Sequence, residues 1–202
     1  LAFSRVVQNE ELLTQEVRFE SNPGSSSTRW RAGLFYLDSE VDGNALRQFL
    51  VPPSAFVPPN FVQTERTLST LGQTNLAAYA NLDHALSKQT TLKLGARLER
   101  AESELDRTKV ATNSFGFPSP QDAPLQRSQA STYGSVSAGA THAWSESFSL
   151  MARTSLAQKP EGYSAFTGSA ALARFDDERQ WASEVGVTFG PPQGRFGGSL
   201  LA

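Results

Sequence analysis

The stretch that decides the fold runs from Asn75 to Glu102 and reads NLAAYANLDHALSKQTTLKLGARLERAE. Apolar residues and His84 take alternate positions in its first half: Leu76, Ala78, Ala80, Leu82, His84 and Leu86. In its second half Leu92, Leu94, Ala96 and Leu98 alternate with Lys93, Gly95, Arg97 and Glu99. Such a period of two is the pattern of β-strands, and only the Ser87–Thr90 region separates the halves. The stretch therefore predicts a long two-faced β-hairpin.

The same pattern recurs on both sides of this hairpin. It predicts strands at Leu12–Glu20, from Trp30 to about Leu37, at Ser135–Trp144, at Phe148–Leu156, at Trp181–Phe189 and at Arg195–Ala202. Between them, segments with several prolines and no periodicity predict long loops over about 38–73 and 105–127, and a third long connection is predicted over about 157–179. The chain thus predicts about eight antiparallel strands, with short turns at one end and long loops at the other, as in outer-membrane barrels.

Composition narrows the class of protein. The chain has 202 residues, a net charge of -2 and no cysteine, and its mean hydropathy is -0.35. No apolar run reaches the roughly 18 residues of a membrane helix, whereas a membrane β-strand needs only alternate apolar positions. The weak negative charge argues against a nucleic-acid partner. Because the chain starts at Leu1 and stops within a predicted strand, we expect a fragment of a larger barrel.

A soluble β-sandwich also alternates apolar and polar residues, so the position of aromatic rings separates the two interpretations. Rings lie near the predicted strand ends, at Trp30, Tyr36, Trp144, Phe148, Trp181 and Phe196, whereas mid-strand positions are mostly Ala, Leu and Val. Aromatic girdles flank the hydrocarbon band of membrane barrels in this manner. We therefore predict an all-β, up-and-down transmembrane barrel segment. A sandwich would instead bury Leu82, Leu94 and Ala140 under a second sheet.

Candidate binding residues are those of the predicted outer loops, because loops carry most binding sites. Rings could stack on a ligand and cations could attract an anionic chelate, which makes candidates of Phe49, Phe56, Phe61, Arg66, Arg107, Lys109, Phe115 and Phe117. The charges predicted to face the lumen are Arg18, Lys93, Arg97, Glu99, Arg153 and Glu184. We predict no metal site, no cofactor and no catalytic site, since neither clustered ligands nor a catalytic motif is present.

Four stretches, in this order, resemble the β-barrel domain of TonB-dependent outer-membrane receptors. They are Thr14–Phe19; Ala78–Leu82 leading to Leu94–Leu98; Lys159–Tyr163; and Arg179–Val187. In that family they are similar to a Gln-Glu-Leu-Arg strand, a Phe-Gly-Gln strand followed by Gly-Leu-Arg-Tyr, a Lys-Pro-Gly-Gly-Phe segment and a Trp-x-x-Glu-x-Gly strand start. The chain departs from the family at Glu161, where Gly is usual, and at His84 and His142, where an aromatic is common.

The resemblance implies a plugged, monomeric barrel of about 22 strands in the outer membrane of a Gram-negative bacterium. This chain would form about a third of its wall, without the plug and the N-terminal segment that contacts TonB. The implied function is uptake of a scarce small-molecule ligand, usually an iron-siderophore and sometimes cobalamin or a glycan. The alternative is a self-contained eight-stranded outer-membrane barrel with a structural or adhesion role. That alternative requires the first strand to pair with the last.

Overall fold

The computed structural model describes residues 2–22, 24, 27–54, 56–117, 119, 121–167, 169–190 and 197–201. The strands are β1 Ala2–Glu20, β2 Thr28–Leu50, β3 Val62–Ala85, β4 Thr90–Asn113, β5 Leu125–Ser145, β6 Phe148–Lys159, β7 Gly162–Tyr163, β8 Arg174–Phe175, β9 Glu178–Phe189 and β10 Gly198–Leu201. One 3-10 turn lies at Ala170–Leu172. Among the described residues, no helix is long and apolar enough to cross a membrane. Phe196, and with it the start of the predicted strand Arg195–Ala202, lies outside the described residues.

Eight strands form one antiparallel sheet in the order β1-β2-β3-β4-β5-β6-β9-β10. Each strand pairs with the next in sequence, apart from the two-stranded β7–β8 hairpin inserted between β6 and β9. This confirms the predicted all-β, up-and-down architecture. Within the described residues β1 pairs only with β2 and β10 only with β9, so both edges are open. The structure thus lacks the pairing that a closed eight-stranded barrel requires.

The register separates the sheet into two faces, because residues directly opposite each other point the same way. One row of opposed residues is Phe19, Ala32, Ala80, Ala96, Val136, Leu156 and Trp181, and it belongs to the apolar face. On that face Leu34, Leu76 and Leu98 are 56%, 57% and 62% exposed. No second sheet covers this face in the described part of the chain, and Leu94 is also exposed. The sandwich interpretation is therefore wrong.

The apolar face carries a hydrocarbon-like band next to the short turns. In β2 this band is Thr28–Tyr36, and the opposed residues in β3 are Leu76–His84. About nine residues at about 3.3 Å each, tilted by about 40°, span roughly 23 Å, close to the apolar band of outer-membrane barrels. Beyond it the same face becomes acidic, with Asp38, Glu40 and Asp42 in β2 and Glu102, Glu104 and Asp106 in β4. The band therefore ends where carboxylates begin.

The predicted long loops over 38–73 and 105–127 are wrong in their bounds. Strand β2 continues to Leu50, β3 begins at Val62, β4 continues to Asn113 and β5 begins at Leu125. The connections are only residues 51–61 and 114–124. Beyond the band both faces of these strands are largely polar, so the apolar alternation disappears although the extended backbone continues. The third predicted connection, 157–179, corresponds to residues 160–177 and contains the β7–β8 hairpin.

The β7–β8 hairpin, residues 162–175, folds back over the polar face of the sheet. Its Tyr163, Ala165 and Ala173 form the buried cluster of the chain together with Leu105 of β4. Leu71, Leu125 and Phe166 pack against that cluster. Since all other strands belong to one layer, this hairpin is where the described chain builds a two-layered core.

Candidate ligand-binding surface

Three phenylalanine rings come together where two loops meet at the end of the sheet away from the short turns. The rings of Phe61, Phe115 and Phe117 are parallel to within 18°, and their centroids are 6.0, 6.4 and 5.9 Å apart. In a stacked column the two end rings would be twice as far apart as neighbours, so these rings instead lie side by side or offset. We call this set the aromatic platform. Phe115 and Phe117 are about half exposed, so a ligand can reach them.

Asn113, the last residue of β4, shapes the loop that carries two of these rings. Its side-chain oxygen accepts hydrogen bonds from the backbone N–H groups of Phe115 and Phe117 at 3.0 and 3.1 Å. Its side-chain nitrogen donates to the Phe117 carbonyl at 2.7 Å and to the Ser119 hydroxyl at 2.8 Å. Gly116 has a φ of 71°, which glycine adopts without strain. The platform is therefore held by its own turn, which lowers the entropy cost of binding.

The other loop meets this turn through the backbone at the start of β3. Val62 donates from its backbone N–H to the Ser114 hydroxyl at 3.1 Å, and Ser114 donates from its backbone to the Val62 carbonyl at 3.0 Å. This reciprocal pair places Phe61, one residue before Val62, beside Phe115 and Phe117. Asn113 and Ser114 are not among the binding residues predicted from the sequence. The signal that could have found them is an Asn followed by Gly three residues later at a strand end.

The remaining predicted binding residues do not join the platform. Phe56 is 95% exposed and is absent from every ring contact within the described chain. Phe49 lies on β2 under the guanidinium of Arg47, at 5.3 Å from ring centroid to Cζ. Arg66 lies on β3 and donates to Asn44 of β2 at 3.2 Å. Lys109 lies on β4 and pairs with Glu65 at 3.2 Å, so its charge is compensated.

Arg107 departs most from expectation. It was predicted on an exposed loop, and that placement is wrong: it lies in β4 and is 1% exposed. The β7–β8 hairpin covers it, and its guanidinium donates to Asp122 at 3.2 Å and to the Thr167 carbonyl at 3.0 Å. In this conformation no ligand in solvent can contact Arg107.

All six charges predicted to face the lumen lie on the polar face. Arg18 pairs with Glu16 at 2.8 Å, and Arg97 pairs with Glu99 at 2.6 Å. Glu99 also accepts hydrogen bonds from Tyr133 at 2.5 Å and Asn75 at 2.9 Å, while Arg97 lies over the Phe35 ring. Lys93, Arg153 and Glu184 share one row of the register, which passes through Gly139. Arg18, Arg97 and Glu99 thus pair with other side chains of the polar face.

The two histidines hydrogen-bond to threonines on neighbouring strands of the apolar face. His84 Nδ1 lies 2.8 Å from the hydroxyl of Thr28, and His142 Nδ1 lies 2.9 Å from the hydroxyl of Thr90. The ring of His142 also makes an edge contact with Trp144, with centroids 5.9 Å apart. Both positions are next to the short turns, in agreement with a place among the rings that border the apolar band.

Comparison with known proteins gives a structural relationship. No protein-family model matches the chain. The chain superposes on the ferric yersiniabactin uptake receptor FyuA from Yersinia pestis with a TM-score of 0.67 and 19% sequence identity, covering 95% of this chain and 28% of that receptor. It also matches the RagAB peptide importer at 11% identity over 92% of this chain and 20% of that one, but a TM-score of 0.39 supports no inference. The relationship is therefore one of fold, with a receptor more than three times as long.

Proposed function

We propose that this chain, which has the fold of part of the barrel wall of a TonB-dependent receptor, belongs to an outer-membrane protein that takes up a scarce ligand. The observation that carries the proposal is the sheet with one exposed apolar face and one networked polar face, open at both edges. A wall of this kind contacts lipid on one side and lines an interior on the other. Energy for transport would come from TonB, contacted by an N-terminal segment outside this chain.

The lengths of the connections support one orientation of the sheet in the membrane. Outer-membrane barrels have short periplasmic turns and longer outer connections, so the Ser87–Thr90 end faces the periplasm. The strands then continue about 14 residues past the band, roughly 45 Å of strand, into the external medium. The aromatic platform lies at the far end of β3 and β4 and is the first part of the wall that an arriving ligand would meet.

An iron chelate is the ligand class we propose first. FyuA takes up ferric yersiniabactin, as its name states, and the platform offers flat ring surfaces on which an aromatic or heterocyclic chelator can stack. Cationic attraction contributes less within this chain, because Lys109 is paired and Arg107 is buried. Ring contacts, rather than charge, would then supply the affinity of this part of the receptor.

Uptake can be measured in the bacterium that carries the gene. We expect iron-starved cells to accumulate radioactive iron supplied as a panel of ferric siderophores, and deletion of the gene to abolish accumulation of at least one of them. Deletion of TonB should have the same effect, because the transport step requires its energy. If no chelate in the panel depends on the gene, the iron-chelate proposal is rejected. If one depends on the gene but not on TonB, the proposed energy source is wrong.

Binding of the identified chelate to the purified full-length receptor tests the platform. Phe115→Ser with Phe117→Ser should weaken binding of the identified chelate about 10-fold or more, because each aromatic contact contributes about 1 kcal/mol. Phe56→Ser is the matched control, since Phe56 is an exposed outer ring that lies outside the platform. Equal losses in the two variants would mean that the platform has no specific role.

A further inference from the structure

The guanidinium of Arg107 is buried at a cost that its contacts only partly offset. Its Nη atoms are used by Asp122 and Thr167, but Nε has no partner among the described residues. The hydroxyl of Ser69, directly opposite Arg107 in the register, also has none. A buried charge with an unpaired N–H is expensive, and what the other donors gain in return is one hydrogen bond to each of two segments outside the sheet. The stability of the sheet alone therefore does not account for an arginine at this position.

The two partners of Arg107 belong to different structural units. Asp122 lies in the 114–124 loop, whose turn carries Phe115 and Phe117 of the platform. That loop is bound to β4 by Gln121, which pairs with the backbone N–H and carbonyl of Ala111 at 3.0 and 2.7 Å. Thr167 lies in the β7–β8 hairpin, on the polar face of the wall. One side chain thus joins the ligand-binding loop to the hairpin that covers the interior side.

Among the described residues, side chains rather than backbone hydrogen bonds join the hairpin to the main sheet. Besides the hydrogen bond from Arg107, it contributes Tyr163, Ala165 and Ala173 to the small cluster around Leu105 and places Phe166 against Gly43. Lys159 of β6 also lies over the ring of Phe175. In the described part of the chain its two strands pair only with each other, over Gly162–Tyr163 and Arg174–Phe175. A unit without ladder hydrogen bonds to the main sheet can lift as a body if its side-chain contacts are released.

We propose that Arg107 is a positioning residue that couples the 114–124 loop to the β7–β8 hairpin. Displacement of Asp122 then weakens the packing of the hairpin on the polar face. Arg107 holds a fixed orientation only while both partners are in place, because its planar donors are rigidly related. When Asp122 moves, the guanidinium loses its charge partner and its bond to Thr167 weakens. The ligand-binding side and the interior side are then linked through one buried group. The inference depends on the proposed function in one respect only, namely that the aromatic platform is where a ligand binds.

The coupling can be measured without any ligand, so it can fail independently of the uptake proposal. Ala173 of the hairpin is 1% exposed, and the chain has no cysteine, so Ala173→Cys is a reporter of hairpin opening within this chain. Maleimide labelling of the full-length receptor, purified in detergent, is followed against time in the reporter background. Arg107→Met keeps an unbranched apolar stem and removes the donors. Asp122→Asn keeps the shape of its partner and removes the charge.

We expect Arg107→Met to raise the labelling rate about 10-fold, equivalent to about 1.4 kcal/mol, and Asp122→Asn to raise it at least about 3-fold, roughly 0.7 kcal/mol, although Asp122 is not part of the hairpin. The double variant should label no faster than Arg107→Met, since both changes act through one bond. Arg100→Met is the matched control: Arg100 lies on the same strand with an exposed ion pair to Glu102, and labelling should not change.

Two outcomes overturn the proposal. If Asp122→Asn leaves labelling unchanged while Arg107→Met accelerates it, Arg107 only anchors the hairpin and no coupling exists. If neither variant changes labelling, the hairpin does not depend on Arg107 at all. Arg107→Lys supplies a further check, since a lysine keeps the charge but cannot bridge both partners with fixed geometry, and it should resemble Arg107→Met. Folding of each variant is verified by its heat-dependent shift on electrophoresis.

Discussion

At Gly43 the backbone of β2 and the ring of Phe166 come so close that no side chain fits between them. A Cβ atom at this position would lie 2.3 Å from Cζ of Phe166 and 2.8 Å from the Ser69 hydroxyl. Glycine is therefore required here for close approach, and this approach lets the Phe166 ring of the hairpin lie against the polar face. Gly43 thus contributes to the fold because it has no side chain.

Gly43→Ala should loosen the hairpin, because the Phe166 ring must move out of its position. Overpacking of this kind costs about 1–3 kcal/mol. We expect maleimide labelling of an Ala165→Cys reporter, 6% exposed in the hairpin, to become about 10-fold faster. Gly72→Ala is the control, since nothing lies within 4 Å of its added Cβ. Equal labelling in the two variants would show that Phe166 does not hold the hairpin.

Glu161 lies where the receptors that this sequence resembles usually have a glycine. Its carboxylate accepts a hydrogen bond from Arg174 on the facing strand of the small hairpin. This hydrogen bond, together with the charge of Glu161, raises the pKa of the Arg174 guanidinium. Both side chains are in contact with solvent, so the pair helps to fix the hairpin register rather than adding much stability.

At the scale of elements, the long strands serve two environments. The half of each strand near the short turns is apolar on one face, and the half beyond Tyr36, Leu76 and Leu98 is largely polar on both. One continuous ladder of hydrogen bonds runs through both halves, from Thr28 paired with His84 to Leu50 paired with Val62. A strand therefore does not end at the membrane surface, because its ladder remains satisfied wherever its side chains are solvated.

This division predicts that a charge on one face of β3 costs more stability inside the band than beyond it. Ala80→Arg places a cation in the middle of the apolar band and should destabilise the full-length receptor by about 2–4 kcal/mol in lipid bilayers. Leu68→Arg, on the same face of the same strand but beyond the band, should cost about 0–1 kcal/mol, although it removes a larger apolar side chain. Denaturant titration in vesicles measures both. A larger loss of stability for Leu68→Arg than for Ala80→Arg would mean that the apolar band has been assigned to the wrong part of the strands.

For the whole molecule, the open edges decide how the chain behaves. Among the described residues, β1 extends over 19 residues and pairs with another strand, β2, on one side only. Strand β10 likewise pairs with β9 alone. The backbone groups on the free sides need other strands of a barrel, because neither lipid nor a hydrophobic surface can satisfy them. The wall is thus a structure whose stability depends on strands outside this chain.

The chain expressed alone should therefore associate in water. Its free edges and its exposed apolar face, on which Leu34, Leu76, Leu98 and Trp181 are all more than half exposed, favour edge pairing and aggregation. Light scattering coupled to size-exclusion chromatography in detergent-free buffer should show large aggregates. A monodisperse, folded monomer under those conditions would contradict both the open-edge architecture and the assignment of the apolar face to lipid.

Much of this architecture is contained in the sequence because it depends on local alternation. The period of two from Leu76 to Leu98 predicted the central hairpin and its two faces, and the same pattern predicted about eight strands with short turns at one end. The row from Phe19 to Trp181 agrees with these alternations, since a one-residue slip would move every side chain to the other face. Which residues of the row are paired was decided by the structure. The rings at strand ends likewise indicated a lipid environment.

Other features were decided only by the tertiary structure. The strands beyond Asp38 and Leu105 could not be predicted from the sequence, because the outer face is polar there and the alternation of apolar and polar residues disappears. Hydrogen bonds to the neighbouring strand nevertheless keep the backbone extended. The burial of Arg107 depends on a hairpin that is more than fifty residues away in sequence, and the platform depends on two loops meeting side by side. Alternation is a property of neighbours along the chain, whereas these contacts join segments that only the folded sheet brings together.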